Sequence, residues 1–222
     1  MENKSDSATR REVSTSSSHE SITLLPSGDT IGFTAVVDTF STTSQGMVTA
    51  AQQDVVLPFQ LSGFLIGDSI RISNDSLNNH CNPVATALIT DLHYLLAHFP
   101  ASLSTTSRWR DSTNVIVCRG SIPVRSRATH SYAVAGETLY EGMPVLVVQR
   151  ADTIHAEGEG AQQQHRMVVT ADGAGSATYY LDTRAGHVIH LTVDQNFDLM
   201  VTASGRASHF RQTAKQDFTL VR

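Results

Sequence analysis

From Ser131 to the C-terminus, short runs of Val, Ile, Leu, Tyr and Thr alternate with glycine-bearing clusters. These clusters are Val134-Ala135-Gly136-Glu137, Tyr140-Glu141-Gly142-Met143, Glu157-Gly158-Glu159-Gly160, Asp172-Gly173-Ala174-Gly175, Arg184-Ala185-Gly186 and Ser204-Gly205-Arg206. Turn signals about 10 to 15 residues apart predict an antiparallel meander. Strands are expected around 145–148, 167–170, 178–181, 187–193, 197–202 and 218–221.

The first half is also strand-rich. Ile22 to Leu25 forms a short apolar run closed by Pro26-Ser27-Gly28-Asp29, a turn signal. In 30–40, Ile31, Phe33, Ala35 and Val37 alternate onto one face, and Val55, Leu57, Phe59 and Leu61 do so in 54–61. Pro58 places an edge or a bulge in that second run. A further strand is expected over 64–72, around Gly67-Asp68.

One helix interrupts the strands. Asn82 suits an N-cap and Pro83 the first helical position. Val84, Leu88, Leu92, Leu95, Leu96 and Phe99 make a helical stripe that Pro100 stops. The pattern predicts a mainly β (α+β) protein: an antiparallel curved sheet or incomplete β-barrel with one packed helix, about residues 83–99. The domain plan is a Ser/Thr-rich disordered tail over 1–21 and a single β-rich domain over 22–222.

With 222 residues the chain can bury a substantial core without metals or dense disulfides. The net charge of −5 shows no basic arm or face, so a nucleic-acid partner is not expected. No apolar run approaches the roughly 18 residues of a transmembrane segment. The first 21 residues hold nine Ser or Thr and lack the apolar core of a secretory signal. Two locations follow: a cytoplasmic protein, or an exported one (periplasmic or cell-envelope-associated) whose tether this is. The second is the expectation carried forward.

Cys81 and Cys118 belong to no Cys-x-x-Cys pair, so zinc and thioredoxin chemistry lack their spacing. In an oxidising compartment they are expected to form a disulfide. The bridge would close a loop of about 37 residues, worth about 3 to 4 kcal/mol on the chain-entropy model.

No catalytic signature is convincing. Val36-Val37-Asp38-Thr39-Phe40-Ser41 and Tyr180-Leu181-Asp182-Thr183-Arg184-Ala185 resemble the Asp-Thr-Gly-Ser loops of pepsin-like proteases. Phe40 and Arg184 stand where those loops need glycine, and Asp-Thr is a common turn pair. Gly173-Ala174-Gly175-Ser176-Ala177 is out of phase for a nucleophile elbow. Gly158-Glu159-Gly160 places an acid where a phosphate loop would have none. His155 with Asp152, Glu157 and Glu159 is the one polar cluster with metal-ligating residue types, read as a solvated hairpin tip. No cofactor and no metal is expected.

The run Tyr132-Ala133-Val134-Ala135-Gly136-Glu137-Thr138-Leu139-Tyr140-Glu141-Gly142-Met143-Pro144-Val145-Leu146-Val147-Val148 resembles a hairpin of bacterial lipoprotein-carrier (LolA/LppX-like) proteins. Tyr180-Leu181-Asp182-Thr183-Arg184-Ala185-Gly186-His187-Val188-Ile189 is similar to that family's strand, Asp, turn glycine, strand element. The resemblance implies an incomplete barrel with a helix over its mouth, an exported location, and a lipid or lipoprotein partner. It transfers no functional residue.

The leading expectation is a non-enzymatic binding protein with an apolar groove between helix and sheet. Leu88, Leu92, Leu95, Leu96 and Phe99 would line the helix side, and Tyr179, Tyr180 and Phe197 the sheet side. The alternative is a structural or protein-interaction module that binds through its edge strands, with no small ligand.

Overall fold

The computed structural model describes residues 13–27, 30–45, 56–66, 69–73, 83–119, 122–162 and 165–221. Among these residues the fold is mainly β with one helix. Its strands are β1 (Val13–Ser27), β2 (Thr30–Gln45), β3 (Phe59–Ile66) and β4 (Ser69–Ile72), then helix α1 (Pro83–Leu95). Next come β5 (Arg108–Arg119), β6 (Ile122–Tyr140), β7 (Met143–Gln162), β8 (His165–Asp182), β9 (His187–Ala203) and β10 (Arg206–Thr219).

The chain gathers into two compact units, 1–65 with 71–74, and 66–70 with 75–222, where the sequence suggested one domain. The strands likewise form two antiparallel sheets, one of four in the order β1-β2-β3-β4 and one of six in the order β10-β9-β8-β7-β6-β5. Neither is a closed barrel.

In the four-stranded sheet, Phe33, Ala35 and Val37 of β2 and Leu61 of β3 are buried, as their alternation predicts. Val13 to Ser21, expected in the tail, pair with Ser41 to Gln45 and their neighbours as the first half of β1. A run of Ser and Thr can join a ladder because strand pairing is a backbone property. β3 begins directly after Pro58, which cannot donate to a ladder.

The six-stranded sheet is a simple meander, but its strands run 12 to 20 residues, far longer than the runs predicted. The clusters at 134–137, 157–160 and 172–175 are not turns. They lie inside β6, β7 and β8. Among the described residues, hairpin turns stand at Glu141-Gly142 and Ser204-Gly205, where both central residues have positive φ. That is the two-residue hairpin turn whose twist matches the strands it joins. Asp182 makes the turn between β8 and β9: its carboxylate accepts from the backbone N–H groups of Arg184 (2.8 Å) and Ala185 (3.1 Å). The protease-like Asp-Thr string at 182 is therefore a turn-forming Asx motif.

The interior glycines have a different purpose. A Cβ on Gly158 would lie 2.4 Å from the Pro123 carbonyl oxygen and 2.8 Å from Val124 Cα. A Cβ on Gly173 would lie 2.4 Å from the Phe197 ring. Both positions take glycine because a neighbour occupies the side-chain space.

Helix α1 is shorter than the expected 83–99. It ends at Leu95, and the Ala97 N–H already reaches back only to the Tyr94 carbonyl, at 3.4 Å. Pro100 disfavours helical geometry at Phe99. The released Phe99 ring packs edge-on against Tyr179 (5.3 Å between centroids), Trp109 (6.0 Å) and Tyr132 (6.4 Å).

Candidate functional site

β6, β7, β8 and β9 share an inner face. Near the helix it holds Tyr132, Val134, Leu146, Val148, Ala177, Tyr179, Leu181, Leu191 and Val193, joined by Tyr94 of α1. Leu95, Ala97, Phe99, Leu103, Trp109, Val188 and Phe218 are half-buried around them.

Charge interrupts this core. The inward positions of β7 run Val148, Arg150, Asp152, Ile154, Ala156, all of them buried. His130 of β6 lies opposite Asp152, and Asp111 of β5 lies opposite His130. Directly opposed residues sit within reach of each other.

The Asp152 carboxylate is the hub. Its Oδ1 is 2.7 Å from His130 Nδ1, and its Oδ2 accepts from Arg150 Nη2 at 2.9 Å. Arg150 Nε is 2.8 Å from Oδ1, but its N–H is not aimed at it, so that contact is electrostatic. Arg150 Nη1 donates to the Tyr179 hydroxyl at 2.6 Å. The guanidinium also lies over the ring of Tyr94 at 4.5 Å, and 5.7 and 6.0 Å from the ring centroids of Tyr179 and Tyr132. Three tyrosine rings around a desolvated guanidinium form a cation–π box.

The electrostatics follow. Burial pushes the Asp152 carboxyl upward, but the His130 hydrogen bond and the Arg150 charge outweigh it and hold the group below the usual Asp value. Burial would lower the Arg150 pKa, yet Tyr179, Asp152, Tyr132 and Tyr94 leave it raised. Burial pushes the Tyr94 hydroxyl up to about 12 and also raises Tyr132 and Tyr179. His93 of α1 is pulled down to about 4 by burial, with His130 and Arg150 adding repulsion. The site thus combines an ionised Arg–Asp pair, neutral tyrosines and a neutral His93.

Two latches tie the helix to this face. Gln195 Nε2 donates to the Tyr94 hydroxyl at 2.6 Å, and Gln216 Nε2 to Asp91 Oδ1 at 3.2 Å. At the β5 side, Trp109 stacks on Tyr132 (4.8 Å between centroids, 3° between planes). Trp109 Nε1 and Asp111 Oδ1 are buried there without a hydrogen-bond partner.

The proposed groove residues are placed as follows. Leu88, Leu92 and Tyr179 have no exposed surface, so they are core rather than open lining. Leu95 and Phe99 stand at the half-buried margin, and Leu96 donates its N–H to the Leu92 carbonyl. Tyr180 alternates to the opposite face, among Tyr140 and His190 (5.1 and 5.3 Å). Phe197 is buried over Gly173. Cys118 is half-buried near the end of β5, and Cys81 lies outside the described residues.

The polar cluster read as a hairpin tip is divided by alternation. Asp152 points inward, while His155, Glu157 and Glu159 are exposed. The exposed three pair with Asp172 (2.7 Å), Arg127 (3.6 Å) and Arg166 (2.6 Å). Among the described residues no group of His, Cys, Asp and Glu is arranged to hold a metal.

His130 and Arg150 escaped the sequence reading, and Asp152 entered it only as part of the cluster around His155. Their signal is an Arg and an Asp at consecutive inward positions between Val148 and Ile154. Comparison of the chain with known protein families, curated proteins and solved structures returns no match.

Proposed function

We propose that this is a binding protein that holds an apolar chain, of a lipid or a lipoprotein, on the inner face of its six-stranded sheet. The observation that supports this is a mismatch of length. Helix α1 has 13 residues and spans about 20 Å. The 20 residues of β7 extend about 65 Å. Far from Arg150, the inner face carries half-buried Val117, Met167, Leu199 and Val201. Phe210, opposite Leu199, is 54% exposed. The ligand surface in this reading lies there and along the Leu95–Phe99 margin, with Leu88, Leu92 and Tyr179 as its foundation.

An exported location and a Cys81–Cys118 bridge belong to the same proposal. No described cysteine is a free thiol, which supports the bridge. No helix among the described residues is long and apolar enough to cross a membrane.

Native mass spectrometry of protein made in a bacterial host tests the reading. A co-purifying lipid mass that leaves on organic denaturation, and is lost in Phe210→Ser, is the expected result. A bare chain that also takes up no added phospholipid would end it. In the second reading, partners bind through the edge of β10, an end strand of 14 mostly exposed residues. Phe210→Ser leaves such a partner bound, whereas a proline within β10 releases it.

A further inference from the structure

His130 makes contacts on both ring nitrogens, and their chemistry fixes its tautomer. Nδ1 faces Asp152 Oδ1 at 2.7 Å, and an ionised carboxylate can only accept. Nδ1 therefore carries the proton. In the neutral ring Nε2 is then a bare lone pair, and its neighbour is Thr113 Oγ1 at 3.1 Å. In that neutral state the hydroxyl of Thr113 donates to it.

We propose that Thr113 is an activated hydroxyl that accepts an acyl group from an activated ester, with His130 as general base and Asp152 as positioning residue. The nucleophile–base and base–orienter hydrogen bonds are both formed, which is the geometric signature of such a unit. Three successive strands supply it, and sheet register holds the distances: Asp152 opposes His130, and Thr113 lies two residues beyond Asp111, which opposes His130 from the other side. Arg150 fixes the carboxylate through Oδ2, so the orienter cannot rotate away. The half-buried Thr113 stands on β5, the end strand of its sheet among the described residues. Asp111 Oδ1, without a hydrogen-bond partner, adds a second carboxylate beside the imidazolium that the reaction creates.

The step balances within the unit. Thr113 Oγ1 bonds to the acyl carbon while its proton passes to His130 Nε2. The bond from the acyl carbon to the leaving oxygen breaks, and His130 returns the proton to that oxygen. The products are an ester on Thr113 and a free alcohol or phenol. This proposal is independent of what occupies the apolar part of the inner face.

The full chain is incubated with p-nitrophenyl butyrate, and p-nitrophenol release is followed together with peptide mass mapping. The expected result is release of p-nitrophenol with butyryl on the peptide bearing Thr113. Thr113→Ala abolishes that label and Thr113→Ser keeps it. His130→Gln slows acylation by about 100-fold or more, the usual contribution of a general base. Should His130→Gln lose its circular dichroism signature, the Thr113 pair alone decides. No butyryl on wild-type protein, butyryl on a different residue, or equal p-nitrophenol release from Thr113→Ala would overturn the proposal and leave His130 as a satisfied core residue.

Discussion

Along the same strands, the inner face of the six-stranded sheet changes chemistry from one end to the other. Near α1 it is built of large aromatic rings with polar tips: Tyr94, Tyr132, Tyr179 and Trp109, closed around Arg150, Asp152 and His130. At the other end it is built of Ile122, Val124, Ala156, Val169 and Ala171, with glycine at positions 158 and 160. A buried tyrosine or arginine needs a partner for each polar atom, so the first region demands one arrangement of helix and sheet. Small aliphatic residues make no such demand. There the strands approach until Val124 fills the space a Gly158 side chain would need. One end is held by specific bonds and the other by close approach.

The largest expected effect breaks the first region. Arg150→Met leaves the buried Asp152 carboxylate with His130 alone and should cost about 3 to 5 kcal/mol in urea unfolding at neutral pH. Adding Asp152→Leu to it should recover much of that loss, because an apolar pair of similar volume carries no desolvation cost. A single Arg150→Met with unchanged midpoint would mean the cluster contributes nothing.

Acid should weaken the same region next. His93 titrates near 4 in the fold against 6.5 when unfolded, so the unfolded chain binds the proton first. Its share of stability is intact above about pH 6.5 and falls as pH drops toward 4, by about 3 kcal/mol in all. Asp152, held low, adds a further loss below its ordinary value of about 3.9. Unfolding measured from pH 7 to 4 should flatten in His93→Gln, and an equally steep profile in that variant would assign the slope elsewhere.

The second region should fail through strain. Gly158→Ala places a methyl against backbone that cannot swing aside, and about 1 to 3 kcal/mol is expected. Thermal melts of Gly158→Ala and of Ala151→Ser, an exposed position on the same strand, would separate this from a generic strand effect. The smallest change is expected for Phe210→Ser, within about 0.5 kcal/mol, since the ring is already mostly exposed. A loss beyond that would show Phe210 to be structural and would weaken its assignment to the ligand surface.

Some of this architecture can be read from the chain without coordinates. Strict alternation marks Phe33, Ala35 and Val37 as one buried face, and the Pro83 to Leu95 stripe marks the helix. Glu141-Gly142 and Ser204-Gly205 announce their hairpins. The glycines at 158, 160, 173 and 175 carry the same local signal as these turns but sit within strands. A glycine that permits a turn and a glycine that yields space to a neighbour look alike until the neighbour is placed. Of the residues expected to line a groove, Leu95 and Phe99 are half-buried against the core, Leu88, Leu92 and Tyr179 are core, and Tyr180 faces away.

The sequence by itself determined a mainly β chain with one helix, since period-two alternation and helical spacing are properties of neighbouring residues. Only the tertiary structure decided that the strands form two sheets, that β6 to β9 run through their glycines, and that Thr113, His130 and Asp152 meet. Those three come from strands whose pairing register depends on the whole meander. Each reads in isolation as an ordinary polar residue, and their chemistry exists only once the register brings them within hydrogen-bond distance.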